Sequence, residues 1–207
     1  MRYNSYVSSP LYDMMSVALE RMSTADDGGA GKSNTTMIQV IIKDEALQVA
    51  ARAGMDEFMQ VFVDSIMEAA GGELTAESMA ELNSDQITLV AYSMLREEVM
   101  DGGFIQLIHN GLGRFIFFNP FAKALAQWGL VDLARLIRKG HKLYKKYHEA
   151  IEVECTDEEF MAMFEQMPEF DNLDDEFVAN EEEWTSDIAH FIDNNIEKFA
   201  SIDGKEG

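Results

Sequence analysis

The sequence has one cysteine, Cys155, three prolines and no run of about eighteen apolar residues. A lone cysteine excludes an internal disulfide framework and any multi-cysteine zinc or iron–sulfur site, and it points to a reducing compartment, so a cytoplasmic protein is expected. The missing apolar run excludes a membrane-spanning helix, and the opening residues MRYNSYVSSP lack the apolar core of a secretion signal. Positive charge is also scarce. Against 38 Asp and Glu stand 16 Lys and Arg, a formal net charge of −22, which repels phosphates and argues against direct nucleic-acid binding unless a local basic surface dominates. What is present in quantity is apolar: 47% hydrophobic and 10% aromatic residues over 207 positions suffice for a core, and the length suits one domain with at most an appendage.

The charge is unevenly distributed. Residues 1–80 hold 12 acids and 5 bases, residues 81–101 hold 5 and 1, residues 102–151 hold 2 and 8, and residues 152–207 hold 19 and 2. A basic segment thus precedes an acidic last quarter whose excess it cannot cancel. Internal neutralisation and a displayed negative surface for a basic partner are the two readings of that asymmetry.

Hydrophobic spacing is helical almost throughout. Ser9–Pro10 reads as a helix start, with Leu11, Met14, Met15, Ala18, Leu19 and Met22 on one face. Residues 23–36 are glycine-rich and polar, a flexible loop. Ile38, Ile41, Ile42, Val49 and Ala50 share a face, although the β-branched run Met37 to Ile42 also suits a short strand. Beyond Gly54, the residues Met55, Phe58, Met59, Phe62, Ile66 and Met67 share another face, ended by Gly71–Gly72.

Further on, Asn83 with Gln86 resembles a capping box before a helix that runs to Gly102–Gly103, and a short helix from Phe104 stops near Asn110–Gly111. Phe115 to Phe121 reads as a core plug. Helices at about 121–127 and 130–148 follow, Thr156 and Glu159 form a second capping box, and Trp184 to Phe199 marks a last helix. The expectation is an all-α fold, a single compact domain of eight to ten helices, with N-terminal helices in 1–80 packed on a helical domain over 81–207.

Motifs for catalysis are weak. Gly29-Ala30-Gly31-Lys32-Ser33 looks like part of a phosphate-binding loop, but Asp26 stands where the pattern needs glycine and a helix precedes it instead of a strand. His109, His141, His148 and His190 lack metal-ligand spacing, and His141 and His148 lie on a lysine-rich helix. No acid run matches a calcium loop. Cys155 has acidic neighbours, which disfavour a thiolate nucleophile. No cofactor, no metal and no catalytic residue is expected. Arg135, Arg138, Lys139, Lys142, Lys145 and Lys146 form one basic stripe, suited to pairing with carboxylates of the same chain or of a second subunit, a homodimer. The 14 methionines fall mostly at core spacing.

The run Glu98-Val99-Met100-Asp101-Gly102-Gly103-Phe104-Ile105-Gln106, followed by Asn110 and Gly111, resembles the E-V-x-N-G-G-F-x-Q signature of a bacterial all-helical family, some of whose members are described as DNA-mimic proteins. Ala124 to Ile137 and Leu173-Asp174-Asp175-Glu176-Phe177 continue the resemblance, which covers about residues 82–180. The family usually carries Asn where this chain has Asp101, and residues 1–80 have no counterpart in it. Physically, the glycine pair suits a left-handed turn anchored by Phe104, and Glu98, Gln106 and Asn110 suit capping of the turn's backbone groups, a structural role for the motif.

The resemblance implies a non-enzymatic protein that occupies the basic site of a DNA-binding protein such as a transcription factor. Carboxylates at i,i+4 on a helix lie about 6 Å apart along its axis, a spacing at which a row of charge can stand in for phosphates. Asp171, Asp174, Asp175, Glu176, Glu181, Glu182 and Glu183 are the expected binding carboxylates, with Glu158 and Glu159 as an extension. An acidic immunity or antitoxin-like inhibitor of a basic toxin is the alternative, and an enzyme a third class that would need a deep pocket near His109.

Overall fold

The computed structural model describes residues 37–118 and 120–204. The helix expected from Pro10 to Met22, the loop 23–36 and the Gly29–Ser33 sequence lie outside the described residues. Nine α-helices occur among the described residues, as the all-α reading expects: α1 Asp44–Ala53, α2 Met55–Ala69, α3 Ala76–Glu81, α4 Ser84–His109, α5 Gly113–Phe118, α6 Phe121–Gln127, α7 Val131–Ile151, α8 Asp157–Gln166 and α9 Asp171–Asp193. Two short strands, β1 Ile41–Lys43 and β2 Ser201–Asp203, accompany them. Packing gathers the chain into two units, residues 91–181 and residues 37–90 with 182–204. The seams fall inside α4 and α9.

In the unit of 37–90 and 182–204, the β-branched run decides for a strand. Ile41 is exposed and Ile42 buried, the alternation of extended chain, and β1 pairs in parallel with β2 in the register Ile41 to Ser201 and Lys43 to Asp203. Helix α1 therefore starts only at Asp44, where Asp44 and Glu45 face its positive end. Helix α2 buries Phe58, Met59, Phe62, Val63 and Ile66 on one face. The sequence spacing missed α3, whose Thr75 and Ser78 cap each other reciprocally, Ser78 N–H to Thr75 Oγ1 at 3.1 Å and Thr75 N–H to Ser78 Oγ at 2.9 Å.

The last helix ends earlier than its spacing suggests. The Asn194 and Asn195 amides donate back to the carbonyls of His190 and Phe191, both at 2.8 Å, and a single 3₁₀ turn, Ile196–Lys198, leads into β2. Phe199 thus leaves the helix and is buried beside Phe62 and Phe191, each with its ring centroid 6.2 Å away. The predicted box at Asn83 and Gln86 forms, at 3.0 and 2.9 Å, and its side-chain amides go on to reach the carbonyls of Lys198 and Phe199. One capping motif so anchors the chain's return 113 residues later.

In the unit of 91–181, α7 is the central amphipathic helix. It buries Leu133, Leu136, Ile137, Gly140 and Tyr144 and leaves its cations outside. Helices α5 and α6 pack on it. Phe115, Ile116, Phe117 and Phe121 fill the core as the plug reading expects, whereas Phe118 is 55% exposed. Phe117 is central to this core, stacked on Phe104 at 6.3 Å and tilted against Tyr144 at 5.4 Å. Helix α8 opens on the expected Thr156–Glu159 box, 2.9 and 3.3 Å.

Candidate protein-binding surface

The glycine corner positions the acidic helix. Helix α4 breaks at Gly102 and Gly103, and Gly103 takes φ 72°, ψ −176°, a combination open essentially to glycine. A Cβ there would lie 2.6 Å from Asp174 Oδ2. The close approach serves a bond: Phe104 N–H, freed by the break, donates to Asp174 Oδ1 at 2.8 Å. Burial pushes the Asp174 carboxyl up to about 6, the Phe104 N–H opposes that, and Asp171 and Asp175 add to the rise.

Glu98, Gln106 and Asn110 do come together, but they satisfy one another and not the backbone. Glu98 Oε2 accepts from Asn110 Nδ2 at 2.7 Å and from Gln106 Nε2 at 3.1 Å, and Gln106 also donates to Asp101 at 2.8 Å. Burial pushes the Glu98 carboxyl up, against its two amide donors and with Glu97 and Asp101 adding to the rise. The backbone cap falls to Asp174, which the sequence placed among the surface acids.

Of the nine expected carboxylates, Glu158, Glu159, Asp171, Asp175, Glu182 and Glu183 are exposed. Asp174 and Glu176 are half-buried, and Glu181 is only 4% exposed. Glu181 is a correction with a plain cause: it falls on the inward stripe Phe177, Glu181, Trp184, Thr185 and Ile188, spaced i, i+4, i+7, i+8 and i+11. There it forms an ion pair with Arg96. Asp187, four residues beyond Glu183 and exposed, extends the outward row, although no sequence signal singled it out.

The basic stripe of α7 meets carboxylates of its own chain. Lys139 Nζ lies 2.6 Å from Glu176 Oε2, Lys146 Nζ 2.8 Å from Glu169 Oε1, and Arg135 2.7 Å from Asp132 on the same helix. The Lys146 ammonium and the Tyr147 hydroxyl hold the Glu169 carboxyl down at about 2. Glu176 is therefore partly neutralised where it stands. Arg138 reaches the Ala122 carbonyl at 3.5 Å, and Lys145 lies over the Phe118 ring at 5.8 Å.

A family model described as DMP19-like protein matches residues 80–195, more than half of the chain. The chain belongs to the DMP19-like family. A relative from Neisseria meningitidis serogroup B, named DNA mimic protein DMP19, is 34% identical over 127 residues, 61% of this chain and 77% of that protein. The glycine corner, the Asp174 cap and the α7 pairs all fall within the DMP19-like span. Strands β1 and β2 and helices α1 and α2 fall outside it.

Three of the histidines of this DMP19-like chain pack within its helices. His109 Nδ1 lies 2.9 Å from the Ile151 carbonyl and its ring 4.8 Å from Phe160, which joins α4 to the end of α7. His148 Nδ1 lies 2.9 Å from the Tyr144 carbonyl. His141 packs between Phe117 and Phe118, and burial, with Lys145 beside it, pushes its imidazole down. Among the described residues no group of three His, Cys, Asp or Glu side chains is placed to hold a metal ion, and no helix is long and apolar enough to cross a membrane.

Proposed function

We propose that this protein is a non-catalytic binding protein whose carboxylates occupy the basic, DNA-binding site of a partner, a bacterial transcription factor or similar protein. The observation that carries the reading is the set of exposed carboxylates on α9, Asp171, Asp175 and Glu182 along one line with Glu183 and Asp187 on the adjoining outward face. A helix holds such charges at fixed positions, about 1.5 Å of rise per residue, so little order has to be imposed on binding. The name of the Neisseria relative, DNA mimic protein DMP19, supports extending mimicry to this chain. Asp174, Glu176 and Glu181 support the row from within, since each is tied to a partner on its own chain. Arg138, Lys142 and Lys145, which reach no carboxylate among the described residues, are the cations of α7 left for a second copy of the chain. A cytoplasmic setting follows from the proposed partner.

The test is capture of a partner from bacterial extract by the full chain, then competition by duplex DNA. A DNA-binding protein should be recovered, be displaced by DNA and by salt, and be bound at least about tenfold more weakly by the Glu182→Lys, Glu183→Lys variant. Recovery of a basic protein that DNA does not displace would overturn mimicry in favour of a toxin inhibitor.

A further inference from the structure

Helices α1 and α2 border a shallow, open groove of about 590 Å³ that lies wholly outside the span matched by the DMP19-like family. Its two walls differ in chemistry. On α1 the residues Ala46, Val49 and Ala53 line it at i, i+3 and i+7, a second apolar stripe beside the buried Leu47 and Ala50. All three are exposed, and Val49 is 60% so. On α2 the residues Glu57, Gln60, Val61 and Asp64 line it, Gln60 donating to Asp64 at 2.7 Å, and Glu45 closes the α1 side, so three carboxylates stand against the single cation Lys43. None of these three carboxylates has an ion-pair partner among the described residues.

From this arrangement we infer that the groove is a docking site for one amphipathic basic helix of a partner protein. An exposed apolar stripe of helical period is matched by the apolar stripe of another helix, and two alanines let that helix approach closely. The flanking Lys and Arg of such a helix would meet Glu45, Glu57 and Asp64. The volume takes several side chains of one stripe and not a whole domain face. Charge complementarity fixes the sign: the described part of this unit holds sixteen Asp and Glu against three bases, Lys43, Arg52 and Lys198. The site is independent of the carboxylate row on α9 and adds an apolar contact, which salt does not screen, to a surface otherwise dominated by charge.

The probe is a synthetic peptide of about four helical turns with Leu at i, i+3, i+4 and i+7 and Lys elsewhere, titrated into the full chain. Its binding should weaken at least about tenfold in Val49→Glu, an exposed position where circular dichroism checks that the fold is kept, and change by less than about twofold in Glu182→Gln, Glu183→Gln. A control peptide with the same lysines and Ser for Leu should not bind measurably at physiological salt. Equal binding of the control, or indifference to Val49→Glu, overturns the groove. Tighter peptide binding by Leu11→Glu, Met15→Glu would make the occupant this chain's own N-terminal segment, and a change in sedimentation of Val49→Glu alone would make it a second copy; either result also overturns the proposal. Because no DNA enters the measurement, its failure leaves the mimicry reading untouched.

Discussion

Asp174 accepts a hydrogen bond from the Phe104 N–H at a corner where burial raises its own carboxyl to about 6, so one residue both caps a helix and makes the fold sensitive to pH. The folded value stands above the ordinary 3.8, which means that the folded state binds the extra proton. The stabilising contribution is therefore full below about 3.8 and is lost as pH rises through about 6. Glu98 acts in the same sense. Glu169 acts in the opposite one, favouring the fold above 4.5 and losing that as pH falls toward 2, but it is exposed and solvent screens it. Asp174→Asn keeps a carbonyl for Phe104 and removes the titration. Urea midpoints between pH 4 and 7 should fall less steeply with pH in this variant than in the parent; parallel curves would show that Asp174 ionises freely. The role of Asp174 was not legible locally, because its donor lies 70 residues away. That Glu181 turns inward is legible in its i+4 spacing from Phe177 and i+3 spacing to Trp184, which place it on the apolar stripe despite its charge.

At the scale of elements, what the chain announces in advance are features closed by near neighbours. The boxes Asn83–Gln86 and Thr156–Glu159 formed as read because both partners sit three residues apart. Thr75–Ser78 escaped because a serine does the work usually done by Glu or Gln. Strand β1 was ambiguous because its partner, β2, is about 160 residues away, and only that pairing satisfies its backbone. Gly140 shows the same dependence on distant neighbours. As a residue of α7 it costs about 1 kcal/mol of helix propensity against alanine, yet a Cβ there would lie 2.7 Å from Phe117 Cε1. Gly140→Ala should therefore lower stability by about 1–3 kcal/mol in chemical denaturation, and Phe117→Leu in the same chain should recover part of that loss. A gain in stability would mean that the Phe117 ring yields freely.

For the whole molecule, charge is the dominant variable. The described residues of the 37–90 and 182–204 unit carry sixteen acids and three bases, and those of the 91–181 unit seventeen and nine, with two of the α7 lysines paired to acids outside their helix. Self-repulsion opposes the compact state. Raising ionic strength from about 0.01 M to about 0.15 M shortens the screening length from about 30 to about 8 Å, and the melting temperature should rise by about 2–4 °C, the equivalent of about 1 kcal/mol. A fall would show that the ion pairs outweigh the repulsion. The sequence by itself determined the helical class, the capped helix starts, the basic stripe and the excess of acid, since these follow from spacing and composition. Only the tertiary structure decided which acids are surface and which are scaffold, because Asp174, Glu176 and Glu181 are claimed by groups 37 to 85 residues away that no local pattern brings near them.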